Sequence, residues 1–390
     1  MMEKCISYTV LFLTLVSCSA DNSPRRISST DNTKSSQNSS INNNTVDSLN
    51  NENENSFKID ELNSENQFKI TNQDEGESKD IMVVQKELPI VNEQRDNYVP
   101  RWPRSVGAVG DSITKALFAS TRNRKSFSSS GAVTDILKLS DFKMSKVHKY
   151  EDTSSYGWIR GKKVNSLVNL IETTTKNKDS VTSINVAVSG KTSFDAGRNQ
   201  IPRLRQYMTQ LNKAQKYPDL ITVLTGANDI CEGTYKRRQV NNNLYVPLRN
   251  ALLSSPQTVV SIISIPQMHK IYPTLHKVES YHYRNLFLKK KKVSCEKMWK
   301  RTGFCKRVLD GQNLRQVEQD VNNLNEDLAN LYMNLKEEFP NRVMRTRELS
   351  IEKIDKENMG IDCFHPNRYG QNKLAREVYT DYKMQIMKIK

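Results

Sequence analysis

Long apolar runs are almost absent from this chain of 390 residues. The exception lies in the first twenty residues, MMEKCISYTVLFLTLVSCSA, where the apolar run is about eleven residues long. A transmembrane helix needs about 18 or more, so this run is too short to span a bilayer. A lysine before it and small residues after it are typical of a signal peptide. We therefore predict that residues 1–20 direct export, and that any membrane attachment is at this end or peripheral.

The end of this segment allows two kinds of processing. Leu15, Val16, Ser17 and Cys18 resemble a bacterial lipobox, in which Cys18 would be lipidated. Ala20 would instead precede an ordinary signal-peptidase cut. The protein is therefore expected to be either lipid-anchored at the cell surface or outer membrane, or secreted.

Histidine is scarce, with five residues in the chain. Four of them show no spacing with cysteines or acids that is typical of zinc ligands: His148, His269, His276 and His282. These four are expected at the surface or in the packing. No metal site is predicted.

Apolar residues are also rare in residues 21–97, which consist mainly of Asn, Ser, Glu and Asp. Such a composition buries too little to offset the entropy of ordering, so we predict a disordered stalk there. Only residues 98–390 have the composition to build a core, and we predict that they form one catalytic domain.

Positive charge is concentrated in that domain. Residues 21–96 carry eight basic and 15 acidic residues, a charge of −7, so the total of +16 leaves +23 for residues 97–390, since Glu3 and Lys4 cancel. A basic stretch runs from Lys289 to Arg301. We expect peripheral contact with an anionic membrane surface, no specific nucleic-acid partner and a monomer. A solvated basic surface without such a partner is the alternative.

Four cysteines lie beyond the signal segment, and in an exported protein an even number favours disulfides. Cys295 and Cys305 are ten residues apart, whereas Cys231 and Cys363 each lie within three residues of a candidate site residue. Of the three connectivities, we favour Cys295 with Cys305 and Cys231 with Cys363.

From residue 105 onward, short β-branched runs alternate with helical patterns, which is typical of βαβ units around a parallel sheet. Five strands are predicted, at residues 106–110, 183–188, 220–226, 258–265 and 341–349. A helix is predicted over 314–335, where apolar residues recur at spacings of three and four. One helix packed on the sheet is favoured over a coiled coil there. A last helix is predicted from about Gln371.

Polar residues follow the ends of these strands. Ser112 comes at the turn after the first strand, and the run ITKALFAS after it is compatible with a helix, whose N-terminus would lie near the hydroxyl. Gly190 follows the second strand, where the lack of a Cβ lets a backbone N–H approach a ligand. Asn228 follows the third and supplies a neutral amide donor that suits an oxyanion. Taken singly, each of these is more typical of a cap or turn.

Asp362 and His365 lie three residues apart in one loop near the C-terminus. This spacing lets the carboxylate accept from the ring Nδ1–H and leaves Nε2 free to take a proton from a serine. If strands two, one and three are neighbours in a doubly wound sheet, their loops open on one edge. Ser112, Gly190 and Asn228 are then expected to surround one small volume.

These blocks, GDS, a glycine block, GxND and DxxH in this order, resemble those of the GDSL/SGNH hydrolases over residues 105 to about 380. Four longer segments look most like the phospholipase B-like branch: VGAVGDSIT, NVAVSGKTSFD, LITVLTGANDIC and DCFHPNRYGQNKLA. The resemblance implies a flavodoxin-like α/β fold, a three-layer α/β/α sandwich with a five-stranded parallel sheet.

The resemblance also implies the roles of the site residues. Ser112 is the expected nucleophile, with His365 as its base and Asp362 as the orienting acid. The backbone N–H of Ser112 joins Gly190 and Asn228 as oxyanion donors. The implied reaction is hydrolysis of a carboxylic ester, with a phospholipid or lysophospholipid as the favoured substrate and without a metal or organic cofactor.

Two departures from the family pattern stand out. Ile113 replaces the leucine of GDSL, and the second cysteine that often follows the GGND block in this branch is absent, which puts the disulfide pattern in doubt. A carbohydrate O-acetyl esterase, a small-ester esterase or a thioesterase would carry the same blocks. A stalked adhesin or polyanion-binding protein without catalysis is an alternative of another class.

Overall fold

The computed structural model describes residues 98, 100–120, 151–176, 180–284, 290–347 and 354–389. All of them belong to one compact unit, Lys69–Lys390. The predicted signal peptide, Cys18, the predicted stalk and Lys289 lie outside the described residues.

A parallel sheet of five strands forms the centre of the fold, in the order β2-β1-β3-β4-β7. Its strands are β1 (Ser105–Gly110), β2 (Thr182–Asn185), β3 (Leu220–Leu224), β4 (Val259–Ile263) and β7 (Val343–Thr346). The five strands and the adjacency of the second, first and third are as predicted. Every residue of β1, β3 and β4 is buried, as expected for central strands covered on both faces.

Helices cover both faces of the sheet, so the fold is a three-layer α/β/α sandwich. Because side chains alternate along a strand, Val109 and Ile221 contribute to one core layer while Ala108 and Leu220 contribute to the other. The helices are α1 (Thr153–Tyr156), α2 (Leu167–Thr174), α3 (Ser193–Asp195), α4 (Ile201–Gln210), α5 (Ala227–Glu232), α6 (Gln239–Ser254), α7 (Ile271–Leu275), α8 (Cys295–Thr302), α9 (Lys306–Leu309), α10 (Leu314–Glu338) and α11 (Arg368–Ile389).

The two longest helices pack on opposite faces. Helix α10 buries the predicted apolar stripe, including Val317, Leu324 and Leu331, in the layer that also contains α4 and α6. A fully buried leucine contributes about 2 kcal/mol, so this stripe is a large part of the core energy. The prediction of one helix packed on the sheet is confirmed. Helix α11 packs Leu374 and Val378 on the other face, beside α2.

An antiparallel hairpin of β5 (Glu279–Arg284) and β6 (Lys290–Ser294) leads into α8 and α9. We call residues 279–309 the basic excursion. Ser294 caps the N-terminus of α8 and accepts a hydrogen bond from the N–H of Lys297, and Gly303 caps the C-terminus in the left-handed conformation. No helix in the described part of the chain has the length and apolar character to span a membrane.

The disulfides correct the predicted pairing. Cys231 is bonded to Cys305, and Cys295 is bonded to Cys363. The prediction was wrong because the eight residues of α8 separate Cys295 from Cys305. At 1.5 Å per residue this helix carries the chain about 10 Å away from Cys295 before it reaches Cys305, whereas a disulfide needs Cα atoms within about 7 Å. One bond therefore joins the basic excursion to helix α5, which follows β3, and the other joins it to the loop of Asp362 and His365.

Candidate active site

Strand β1 ends in a tight turn that presents Ser112 at the carboxyl edge of the sheet. A Cβ on Gly110 would lie 2.5 Å from the carbonyl oxygen of Leu224, so only glycine fits at the end of the strand. The Gly110 N–H donates to Oε1 of Gln200 at 2.8 Å. The close approach of Leu224 and the hydrogen bond to Gln200 therefore hold the end of β1, where the turn begins.

The run after Ser112 is not the helix that the sequence predicts. Residues 111–120 form turns, and Ala116 and Phe118 have φ values of 54° and 56°. A right-handed helix cannot contain such residues. The carbonyl of Ile113 instead accepts from the side chain of Gln371 at 3.0 Å. The expected helix N-terminus near the hydroxyl is thus absent from this turn.

Three predicted residues form one hydrogen-bonded chain. The hydroxyl oxygen of Ser112 lies 2.7 Å from Nε2 of His365, and Nδ1 of the same ring lies 2.5 Å from Oδ2 of Asp362. All three side chains are buried. With the Nδ1 proton held by the carboxylate, Nε2 presents a lone pair to the serine hydroxyl.

The loop that carries this acid and base is held by further bonds. Oδ1 of Asp362 accepts the backbone N–H of His365 at 3.1 Å, and the backbone carbonyl of Asp362 accepts from Nε1 of Trp299 at 2.8 Å. Cys363, which lies between Asp362 and His365 in sequence, is bonded to Cys295 at the start of α8. The basic excursion thus contacts the candidate acid directly.

Aromatic rings surround the imidazole of His365. The ring of Phe364 lies edge-on at a centroid distance of 4.9 Å, and those of Phe118 and Phe304 lie at 6.0 Å. Phe304 comes from the basic excursion and also packs on Phe364. These rings keep water away from the imidazole and strengthen its polar contacts.

Gly190 lies in the loop after β2, and Asn228 lies in the first turn of α5, which follows β3. Gly190 has a φ of 78°, which favours glycine. Nδ2 of Asn228 donates to the carbonyl of Lys191 at 2.9 Å, which uses one of its two amide hydrogens and leaves the other for a ligand. The structure thus brings the loop of Gly190 and the side chain of Asn228 into contact.

Two buried carboxylates adjoin the site. Burial raises the pKa of Asp229, which accepts from the N–H of Ser193 at 2.9 Å and from its hydroxyl at 2.8 Å. Burial also raises the pKa of Asp111 to about 6, although its hydrogen bond from the N–H of Ile113 acts in the opposite direction. Asp229 therefore ties α5 to the start of α3, and Asp111 braces the turn of the serine.

The raised pKa of Asp111 predicts a pH-dependent effect of Asp111→Asn. The pKa of Asp111 is about 6 in the folded protein and 3.8 in the unfolded chain, so unfolding between these pH values releases a proton. The contribution of Asp111 to the free energy of unfolding therefore falls as pH rises through this range and stays constant above about pH 6. Asparagine keeps the acceptor but cannot ionise. The variant's free energy of unfolding, relative to the wild type, should rise by about 2–3 kcal/mol from pH 4 to pH 7. Denaturant unfolding at both pH values measures this, and an equal difference at both would contradict it.

A mainly apolar pocket lies among residues next in sequence to Ser112, Asn228 and His365. It is lined by residues that neighbour the site in sequence, among them Ile113, Ala227, Phe364 and Pro366. Further apolar lining comes from Met268, Ile271, Ile354, Met359 and Leu374, and polar lining comes from Asp355, Asn358 and Lys373.

Three residues that contact this site were missed by sequence reasoning: Trp299, Phe304 and Glu151, whose carboxylate accepts from the hydroxyl of Ser189 beside Gly190 at 2.5 Å. None lies in a recognisable motif, and their contacts depend on chain segments far apart in sequence. Only the closeness of Phe304 to Cys305 offered a signal. No group of three or more His, Cys, Asp or Glu that would suit a metal ion occurs within the described ranges.

Comparison with known families gives one match over most of the chain. The model of the GDSL-like lipase/acylhydrolase family matches residues 106–378. A search of curated proteins gives no match.

Solved structures of hydrolases are also similar to this chain. A psychrotrophic esterase, EstA, from Pseudoalteromonas sp. is 14% identical, with a TM-score of 0.36 over 72% of this chain and 97% of that chain. A lipase/acylhydrolase from Enterococcus faecalis is 12% identical, with a TM-score of 0.35 over 72% and 96%. A carbohydrate acetylesterase family member from Sinorhizobium meliloti is 12% identical, with a TM-score of 0.36 over 72% and 98%.

Proposed function

Because the chain belongs to the GDSL-like lipase/acylhydrolase family and is a hydrolase that acts on ester bonds, we propose that it cleaves carboxylic esters with long acyl chains, as in phospholipids or lysophospholipids. The observation that carries the substrate class is the mainly apolar pocket, whose lining residues Ile113, Ala227 and Phe364 are the sequence neighbours of the candidate site residues. An apolar lining suits a hydrocarbon chain better than a sugar. The sequence blocks that resemble the phospholipase B-like branch agree with it.

The proposed reaction proceeds through an acyl-enzyme. The oxygen of Ser112 attacks the ester carbonyl while Nε2 of His365 takes its proton, and Asp362 stabilises the resulting imidazolium. The electron pair of the broken π bond resides on the carbonyl oxygen, which accepts from the N–H groups of Ser112 and Gly190 and from the amide of Asn228.

Collapse of this intermediate re-forms the carbonyl and breaks the bond to the alcohol, which leaves with the proton from His365. Water then attacks the acyl group as His365 takes one of its protons. A second collapse frees the fatty acid and returns the proton to Ser112.

The pocket predicts a preference for longer acyl chains. Each buried methylene contributes about 0.8 kcal/mol, so burial of two of them raises kcat/KM about tenfold for an octanoyl over an acetyl ester. Met359→Lys, which places a charge in the pocket lining, should remove most of this preference. Met333→Lys is the matched control, because Met333 is 59% exposed on α10. Rates on 4-nitrophenyl esters measure the ratio, and a wild-type preference for acetate would favour the acetyl esterase instead.

The basic excursion supports a further part of the proposal, contact with an anionic lipid surface. Lys292, Lys297, Lys300 and Arg301 are exposed there, although Lys300 pairs with Glu296 at 2.7 Å. Each cation near an anionic membrane contributes about 1 kcal/mol. Hydrolysis of a lysophospholipid in neutral vesicles and in vesicles with phosphatidylserine tests this contact. The rate should be higher with phosphatidylserine, and equal rates in both would contradict the contact.

A further inference from the structure

Glu151 links the turn of Ser112 to the loop of Gly190. Its backbone pairs with Leu117 in an isolated antiparallel bridge. Oε1 of its carboxylate accepts from the hydroxyl of Ser189 at 2.5 Å, and Oε2 lies 3.4 Å from Nζ of Lys115. The side chains of Glu151 and Lys115 are only 10% and 16% exposed. Glu151 belongs to none of the four sequence blocks. It thus contacts both the turn that carries Ser112 and the loop that carries Gly190.

The bond from Ser189 to Glu151 acts on the peptide that carries the Gly190 N–H. This peptide group joins Ser189 to Gly190, and Gly190 itself has a φ of 78°. On the other side, the carbonyl of Lys191 accepts from Nδ2 of Asn228 at 2.9 Å. Both neighbours of Gly190 are therefore anchored by side chains. The direction of the Gly190 N–H depends on these two anchors, because glycine restricts its own backbone least.

We propose that Ser189 and Glu151 are positioning residues that aim the Gly190 N–H at the developing oxyanion. The inference rests on the proposed function, because it assigns the Gly190 N–H to the oxyanion hole. The Ser189 bond is charge-assisted, since a hydroxyl donates to a carboxylate, and this makes it about twice as strong as a neutral one. The bond is also partly buried.

Lys115 makes a carboxylate acceptable at this place. An isolated negative charge beside an oxyanion hole would oppose the charge that develops there. The ammonium of Lys115, at 3.4 Å, offsets that charge while Glu151 still accepts from Ser189. The pair therefore supplies a strong anchor with little net charge.

Ser189→Ala tests the proposal because it removes the hydroxyl alone. Loss of a whole oxyanion donor costs about 10²–10³ in kcat, and a donor that is only misdirected should cost about tenfold. KM should change less than about twofold, since the ground-state carbonyl gains little from this donor. Inhibition by an aryl trifluoromethyl ketone, which forms a tetrahedral adduct with an oxyanion, should weaken by the same factor as kcat falls.

Three further variants separate positioning from general stability. Ser189→Thr keeps the hydroxyl and should retain most of kcat, whereas Glu151→Gln should lose severalfold. Glu338→Gln is the matched control, because Glu338 also accepts from a hydroxyl, that of Tyr245, and pairs with Arg249 at 2.7 Å, but on α6 and α10. It should leave kcat and ketone inhibition unchanged. Thermal unfolding of each variant identifies losses that come from misfolding.

The outcomes are distinct. Loss of kcat and of ketone inhibition in Ser189→Ala, with both kept in Ser189→Thr, supports positioning by the hydroxyl. An active wild type with equal kcat in Ser189→Ala overturns the inference alone. Equal losses in Ser189→Ala, Ser189→Thr and Glu338→Gln also overturn it. A wild type that hydrolyses no ester overturns the proposed function and, with it, this inference.

Discussion

Replacement of Asp362 by asparagine should lower kcat by about 10⁴ while KM changes little. Asp362 accepts the Nδ1–H of His365 at 2.5 Å, and this bond leaves Nε2 free to take the serine proton. An asparagine amide that donates to Nδ1 would place the ring proton on Nε2, where it blocks proton transfer from Ser112. A wrong tautomer of this kind costs about 10⁴ in kcat in serine hydrolases. Steady-state rates on a short-chain ester measure the loss.

Asp219→Asn is the matched control for this variant. Asp219 is also buried and accepts backbone N–H groups, those of Arg104 and Ser105 at 2.8 and 3.0 Å, but it precedes β3 at the opposite edge of the sheet. Its replacement should reduce stability and leave kcat within a few-fold of the wild type. Comparable losses of kcat in both variants would mean that unfolding explains the first, and a fully active Asp362→Asn protein would exclude the proposed acid.

Removal of the bond between Cys295 and Cys363, by alanine at both positions, should lower the free energy of unfolding by about 4 kcal/mol. The bond closes a loop with a sequence separation of 68 residues, and the entropy of the unfolded chain rises when it is absent. Because Cys363 lies between Asp362 and His365, kcat should also fall. Denaturant unfolding and steady-state rates measure the two effects.

The second disulfide provides a control of nearly equal size. Cys231 and Cys305 are separated by 74 residues, so alanine at both should cost a similar free energy. Its effect on kcat should be smaller, since neither cysteine lies between the acid and the base. A single Cys295→Ala variant should expose a free thiol at Cys363. A free thiol at Cys305 instead would restore the pairing that the sequence favoured.

The sheet and the candidate triad were predictable because local sequence patterns report them. Strands buried on both faces, such as β3 and β4, read as continuous apolar runs, and the stripe of α10 recurs at helical spacing. In a parallel sheet the loops after adjacent strands meet at one edge, and the strand order therefore predicts that Ser112, Gly190 and Asn228 lie near one another. The positions of the site residues depend on the strands of the sheet, and the apolar pattern of the sequence indicates where those strands lie.

The features that were not predictable depend on contacts between distant segments. The turn after Ser112 has left-handed residues at Ala116 and Phe118 and receives a hydrogen bond from the distant Gln371, whereas local propensity favours a helix. The disulfide pairing depends on α8, which separates two cysteines that are close in sequence. Glu151 lies more than thirty residues from Ser189, and nothing near it in sequence indicates their bond.

The basic excursion is joined to the candidate site by side-chain contacts and by a disulfide. It contacts the site through Trp299, through Phe304 and through the bond of Cys295 with Cys363. A cationic surface element is thus joined directly to the loop of the proposed acid and base. Contact with an anionic lipid would therefore act on the same element that supports His365.

The most direct test of the proposed nucleophile is labelling of residues 98–390 with a fluorophosphonate probe, in the wild type and in Ser112→Ala. The serine oxygen should displace fluoride and form a phosphonyl ester, with the adduct on the peptide that contains Ser112. Ser112→Ala should remain unlabelled while it melts at the wild-type temperature. Labelling that persists in Ser112→Ala, or a folded wild type that does not label, would contradict the assignment of Ser112 as the nucleophile.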